Sequence, residues 1–173
     1  MVLYTGSEIG GWGWMSTFLK QNLQFTPAKS SIAVGLFWGG MTVGRIICGR
    51  LSLRYPAKNI ILVLAFLSAG ITVYSGFIIN ETTVLIVITL MGLVYSSLWP
   101  LIAGYGGNYR PENSGTVYAL LIGCGTIGGA LIPLLMGVIA QNINIRVAMI
   151  SPAILFLLVA IIFINLKSMP KKA

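Results

Sequence analysis

Residues 59–79 read NIILVLAFLSAGITVYSGFII and, after Asn80 and Glu81, residues 82–104 read TTVLIVITLMGLVYSSLWPLIAG. Neither run holds a charge. Each has the length a helix needs to cross the hydrocarbon core of a bilayer, roughly 20 residues. Lipid offers a lone segment no partner for its backbone groups, so each run must be helical. The two residues between the runs leave room for a turn and nothing more. The pair therefore sets the fold class as all-α and transmembrane.

Working outward, the same pattern recurs at 2–19, 30–49, 114–140 and 145–166, which makes six spans in a single domain over 1–173. The connections are short and carry turn residues: 24–29 with Pro27, 50–58 with Pro56, 80–81, 105–113 with Pro111, and 142–144. Composition agrees, with 57% hydrophobic and only 8% charged residues. A soluble domain needs about a quarter of its residues charged. The net charge of +8 does not indicate a nucleic-acid partner, because the basic residues gather in loops and at the carboxy end. Arg45, Arg50, Arg54, Lys58, Arg110, Lys167, Lys171 and Lys172 fall on one side, and Lys20, Lys29 and Arg146 on the other. The positive-inside rule places both termini in the cytoplasm, with the lipid bilayer of the cell membrane as first partner.

The absences narrow function further. The chain has no histidine, and its three acidic residues are all glutamates. Metalloproteases need histidine ligands, serine-type intramembrane proteases a histidine base, and aspartyl types two aspartates. An enzyme is therefore not expected, nor a cofactor or metal. Cys48 and Cys124 lie inside apolar runs and read as small packing residues. No filter-like loop or ring of charge suggests a channel.

The spans are not alike. The third and sixth are almost purely aliphatic, while the first, second, fourth and fifth hold the glycines, tryptophans, tyrosines and polar groups. Glycine-rich spans pack closely against other helices, and uniformly aliphatic ones suit a lipid-facing place. Two inner helices followed by one outer helix occur twice. Gly40 and Gly44 in the second span match Gly125 and Gly129 in the fifth. An inverted three-plus-three helix repeat is the expected architecture, since tandem three-helix units insert with opposite orientation.

Glu8 is the only acidic residue inside a span. It lies about 18 Å along the helix from Lys20, near the bilayer midplane. A carboxylate there must protonate, pair or line a cavity. It reads either as a solute acceptor and proton-coupling group or as a structural strut. Arg45, about one turn inside Arg50, is the candidate partner, unless it snorkels to the interface. Tyr4, Glu8 and Trp12 recur every four residues, as do Trp38 and Thr42, and Tyr95 and Trp99, so each set shares one helix face. Such stripes suit a sugar, with apolar ring faces to stack and hydroxyls to bond. Tryptophan and tyrosine also form interface belts, the simplest account of Trp14 and Tyr109. Arg50, Arg54 and Lys58 anchor one face of the membrane, and Gly125, Gly128, Gly129 and Pro133 read first as packing and bending devices.

Three stretches carry a resemblance. Leu3-Tyr4-Thr5-Gly6-Ser7-Glu8-Ile9-Gly10 with Trp12 and Trp14 is similar to the seventh helix of fucose- and glucose/galactose-type proton symporters of the major facilitator superfamily. Gly44-Arg45, Gly49-Arg50-Leu51 and Arg54 resemble that superfamily's signature between helices eight and nine, although Leu53 stands where the signature often has an aspartate. Trp99-Pro100, Gly115-Thr116, the run from Gly123 to Pro133, and Gly137 resemble helices ten and eleven. The resemblance implies the carboxy-terminal six-helix half of a transporter. It implies proton-coupled, secondary active transport of a small hydrophilic, sugar-like solute. Tyr4, Glu8, Trp12, Trp38, Thr42, Tyr95 and Trp99 would line the pathway. Arg45, Gly49, Arg50, Arg54 and Lys58 would form a cytoplasmic gate, with Gly125, Gly128, Gly129 and Pro133 as hinges. The partner implied is an amino-terminal six-helix half or a second copy. The other reading is a truncated or split half, inactive alone and acting only as a membrane assembly partner.

Overall fold

The computed structural model describes residues 1–109 and 111–166, and all regular structure among them is helical. The helices are α1 (Val2–Leu23), α2 (Pro27–Ser52), α3 (Ala57–Ser75), α4 (Glu81–Tyr95), α5 (Leu98–Tyr109), α6 (Ser114–Asn142), α7 (Ile145–Ile150) and α8 (Pro152–Asn165), with a 3-10 turn at Pro111–Asn113. α4 and α5 together make one span, interrupted at Ser96 and Ser97, and α7 and α8 make another, interrupted at Ser151. Five stretches are long and apolar enough to cross a membrane: Pro27–Ser52, Ala57–Ser75, Glu81–Tyr109, Pro111–Asn142 and Ile145–Asn165. The sequence reading expects six. α1 has the length, at 22 residues, but its glycines, Ser7 and Glu8 make it less apolar. Its polar residues are covered by protein instead, Ser7 being wholly buried.

The helix starts follow from local chemistry. Thr26 accepts from Lys29 N at 3.3 Å ahead of Pro27, Asn80 accepts from Thr82 N at 2.9 Å and Thr83 N at 3.2 Å, and Asn144 accepts from Val147 N at 2.8 Å. Each side-chain oxygen satisfies a donor that the first helical turn leaves free. α1 ends where Gln24 turns left-handed at φ 56°. That αL residue is a common way to stop a helix.

Loop contacts sort the helix ends. Lys29 Nζ pairs with Glu81 at 2.6 Å, joining the starts of α2 and α4. Arg146 Nε donates to Asn22 at 3.2 Å, joining the start of α7 to the end of α1. At the opposite end Lys58 Nζ donates to Ile164 O at 3.1 Å and to Leu166 O, so the start of α3 caps the end of α8. A cation there also meets the negative end of the helix dipole. Of the basic residues used to assign orientation, Arg110, Lys167, Lys171 and Lys172 lie outside the described residues.

The most extensive packing joins α1 to α6, α2 to α4, and α3 to α8. The first two pairs meet through glycine. A Cβ on Gly40 would strike the Thr89 carbonyl, one on Gly92 the Phe37 carbonyl, and one on Gly128 the Val2 carbonyl. Backbones this close let main-chain and side-chain atoms of both helices interlock, the main source of association where lipid removes any hydrophobic gain. The core between the pairs holds Tyr4, Phe37, Tyr95 and Phe156 with Met15, Met41, Met91 and Met136, each at most 1% exposed. α3 is less uniform than its composition suggests. Ser68, Thr72 and Ser75 form a buried polar stripe, and Thr72 Oγ1 lies 2.5 Å from the Tyr95 hydroxyl.

The glycine contacts set up a neighbouring pair for comparison. Gly40→Ala drives a methyl into the Thr89 carbonyl and is expected to cost about 1–3 kcal/mol. Gly39→Ala faces open space and should change stability by less than about 1 kcal/mol. Thermal unfolding of the detergent-solubilised chain separates them, and equal melting shifts would refute the close approach.

Candidate functional site

Ring contacts link several of the aromatic residues named from sequence. Trp12 on α1 and Trp38 on α2 meet with ring centroids 5.9 Å apart at 56°. Trp38 also sits edge-on to Phe37, which in turn stands edge-on to Tyr95, both at 5.9 Å. Tyr95 lies 4.7 Å from Phe156. An aromatic chain thus runs from the half-exposed tryptophans into the centre of the core. Trp38 is 42% exposed and Trp99 36%, whereas Tyr4 and Tyr95 are wholly buried. The two tyrosines stand behind the exposed face and support it. Thr42 is exposed, with its hydroxyl donating to Trp38 O at 3.0 Å.

Glu8 lies just behind that face, 9% exposed. Its near neighbours are the Tyr4 hydroxyl and, through space, the Arg45 guanidinium. The candidate partner from sequence makes no ion pair with it. Arg45 instead donates through Nε to Ser96 O at 3.2 Å and through Nη2 to Met41 Sδ at 3.4 Å. The Lys29–Glu81 pair is the one salt bridge among the described residues.

Indole N–H groups distinguish the tryptophans. Trp14 donates to Pro133 O at 3.0 Å and lies over Gly137, so it ties α1 to α6 inside the bundle, where an interface belt was the simplest expectation. Trp12, Trp38 and Trp99 have no acceptor for theirs among the described residues. A partly exposed donor without a protein partner is available to a ligand. Trp99 also walls a pocket of about 410 Å³ with Thr5, Ile9, Ile122, Gly125 and Thr126. That volume falls within the range of small-molecule sites, about 300–1,000 Å³. Gly125 and Gly129 line it as well, and their missing side chains let Thr5 pack on Gly125 and Ile9 on Gly129, which brings α1 close to α6 at the pocket.

The other residues named from sequence lie apart. Gly49, Arg50 and Arg54 are exposed around the end of α2, and Lys58 spends its charge on the end of α8. Gly128 packs on the α1 backbone, and α6 runs unbroken through Pro133. Sequence reading missed Thr5 and Thr126 in the pocket, and Thr72 behind Tyr95. The signal was present: Thr5 and Ile9 share the four-residue spacing of Gly125 and Gly129 opposite them, and Ser68, Thr72 and Ser75 lie on one helical face.

Comparison with known proteins adds to this geometry. The profile of the family described as Major Facilitator Superfamily matches residues 1–173. A glucose/galactose transporter of Brucella abortus is 31% identical over 169 residues, covering 91% of this chain and 38% of that protein. Bypass of stop codon protein 6 of Saccharomyces cerevisiae is 26% identical over 184 residues, covering 99% of this chain and 36% of the yeast protein. A putative glucose/galactose transporter of Helicobacter pylori is 26% identical over 145 residues, 82% of this chain and 34% of that protein. The chain therefore spans well under half the length of these relatives.

The contrast among tryptophans is testable. Trp14→Phe removes the bond to Pro133 O and should lower stability by about 0.5–1.5 kcal/mol. Trp38→Phe keeps the ring contacts and loses an unpartnered N–H, so its effect should stay within about 0.5 kcal/mol. Thermal melts of both variants in detergent check the difference, and the reverse order would contradict the geometry.

Proposed function

The chain belongs to the major facilitator superfamily, and on that premise we propose that it is the carboxy-terminal six-helix half of a proton-coupled transporter for a small, sugar-like solute. One observation carries the reading. A carboxylate buried within the spans, Glu8, lies one helical turn from Trp12, whose ring pairs with that of Trp38, and it makes no salt bridge among the described residues. A sugar offers apolar ring faces to stack on indoles and hydroxyls to accept their N–H bonds. The names of the Brucella and Helicobacter relatives support the same solute class. Trp99 and the pocket beside it extend the pathway, with Tyr4 and Tyr95 as its buried support and Thr42 at its edge.

The proposed architecture is the inverted repeat. Its support is the exchange of glycine contacts: the second span uses Gly40 and Gly44 against the fourth, and the fifth uses Gly125 and Gly128 against the first. Swapping the two three-helix units interchanges these pairs. Arg50, Arg54 and Lys58 belong to the proposed cytoplasmic gate together with Gly49 and Arg45. Gly125, Gly128, Gly129 and Pro133 are the proposed hinge elements of α6. That helix keeps Leu120, Ile127, Leu131 and Leu134 exposed, each by more than half. Such a face supports a partner half or second copy against it. It also favours the second reading, in which this chain alone is only an assembly partner. Both termini are assigned to the cytoplasm.

Two experiments test the proposal. In the complete transporter that carries this half, Glu8→Gln keeps size and hydrogen bonding but removes titration. It should abolish proton-driven accumulation of the solute while sparing exchange. Loss of both activities with normal expression assigns Glu8 to solute binding, and retention of both removes it from the site. For topology, Cys48 and Cys124 are first replaced. A cysteine at Lys58 should then resist impermeant external reagents while one at Lys29 reacts, and external labelling at Lys58 would reverse the orientation.

A further inference from the structure

A proline has no N–H to give the carbonyl four residues before it. Pro100 therefore leaves Ser96 O without its helical donor, and the fourth span breaks there, between α4 and α5. Two side chains from other helices fill the break. Arg45 of α2 donates Nε to Ser96 O at 3.2 Å. Tyr4 of α1 donates its hydroxyl to Tyr95 O at 3.0 Å. Trp99 N–H and Tyr95 O are the pair that an unbroken helix would join. The Tyr4 hydroxyl takes that carbonyl instead. A side chain inserted into the ladder is a recognised cause of a helix kink.

From this we infer that Tyr4 and Arg45 are positioning residues, which hold the fourth span open at Ser96 so that Trp99 faces the pocket. The inference rests on the transport reading only for its consequence, not for its geometry. It gives Arg45 a role other than snorkelling or pairing with Glu8: its Nε is directed at a carbonyl that nothing in its own helix can satisfy. Tyr4 also lies one helical turn from Glu8, on the same face of α1.

Helix geometry sets what each substitution does. Without the Tyr4 hydroxyl, Trp99 N–H and Tyr95 O can recombine and close one rung of the ladder. Without Arg45, Ser96 O is left bare in an apolar surrounding. Pro100→Ala supplies that carbonyl with a ladder donor and makes Arg45 unnecessary for folding, while straightening the span.

The test uses the chain with Trp12, Trp14 and Trp38 replaced by Phe, leaving Trp99 as the sole tryptophan, excited selectively over the tyrosines. Tyr4→Phe and Arg45→Met should each shift the Trp99 emission maximum and change its quenching by acrylamide. Pro100→Ala should shift it as well. If Arg45→Met does not fold, adding Pro100→Ala should restore folding, and failure to restore it overturns the inference. Unchanged emission and quenching in folded Tyr4→Phe and Arg45→Met also overturn it. In the complete transporter the same two variants should raise the solute KM about tenfold, one hydrogen bond's worth, with kcat less affected. Shifted fluorescence with an unchanged KM keeps the positioning role and removes Trp99 from the solute pathway, which separates the two failures.

Discussion

A helix carbonyl in a bilayer has no water to turn to when its ladder donor is missing. The arrangement of this bundle follows from that constraint. Pro100 bares Ser96 O, and the guanidinium of Arg45 crosses from α2 to meet it. Pro152 bares Ala148 O in the same way, and there the neighbouring Ser151 hydroxyl accepts the task at 2.8 Å. The two solutions differ in reach. Serine repairs its break within one span, so that span needs nothing from its neighbours. Arginine repairs its break across helices, and together with Tyr4 it makes the geometry of the fourth span depend on the first and second.

Such reach requires close helices, and the glycines provide them. Gly44 lies against Leu93 O and the Ser96 hydroxyl, one position from Arg45 on α2. A larger residue at 44 would hold α2 off and take the guanidinium away from the break. Close packing and polar repair are therefore one device. The wholly buried aromatic residues behind it, Tyr4, Phe37, Tyr95 and Phe156, fill the space that crossing glycine-rich helices leave at the centre. Thr72 and the Tyr95 hydroxyl bond each other there, while the Ser68 hydroxyl one turn away on α3 is buried without a partner among the described residues.

Much of this was legible in the sequence, and the parts that were not share a cause. Apolar run lengths gave the all-helical class, and Asn80, Asn144 and Pro27 marked helix starts because capping is local chemistry. Trp12 and Trp38 were legible as members of one-face stripes, but their stacking on each other depends on how α1 crosses α2. The same limit applies to Trp14. Its position near a helix end suggests an interface belt, yet its N–H is spent on Pro133 O, a partner 119 residues away. Arg45 shows it most clearly: charge alone pointed to Glu8, while the competing demand came from a neutral carbonyl freed by Pro100. The first span escapes the apolarity that marks the other five because its polar residues are covered by neighbouring helices, which one span's composition does not reveal.

The commitment of Arg45 bears directly on Glu8. A buried carboxylate locked into an ion pair is held in one charge state by its partner, and releasing it costs the pair. Here the Arg45 guanidinium is bound to a backbone carbonyl and makes no salt bridge with Glu8, although its charge acts on the carboxyl group through space, and the one proton of the Tyr4 hydroxyl goes to Tyr95 O. On the proposed reading, the charge of Glu8 responds to what occupies the adjoining face: water, a solute, or the helices of the proposed partner half. That freedom is what a coupling group needs, because its affinity for a proton must change when the solute arrives or the cavity turns. A structural strut would need the opposite, a fixed partner in every state. The break at Ser96 thus has a second effect beyond the course of the helix: it engages Nε of Arg45, and Glu8 makes no direct salt bridge among the described residues.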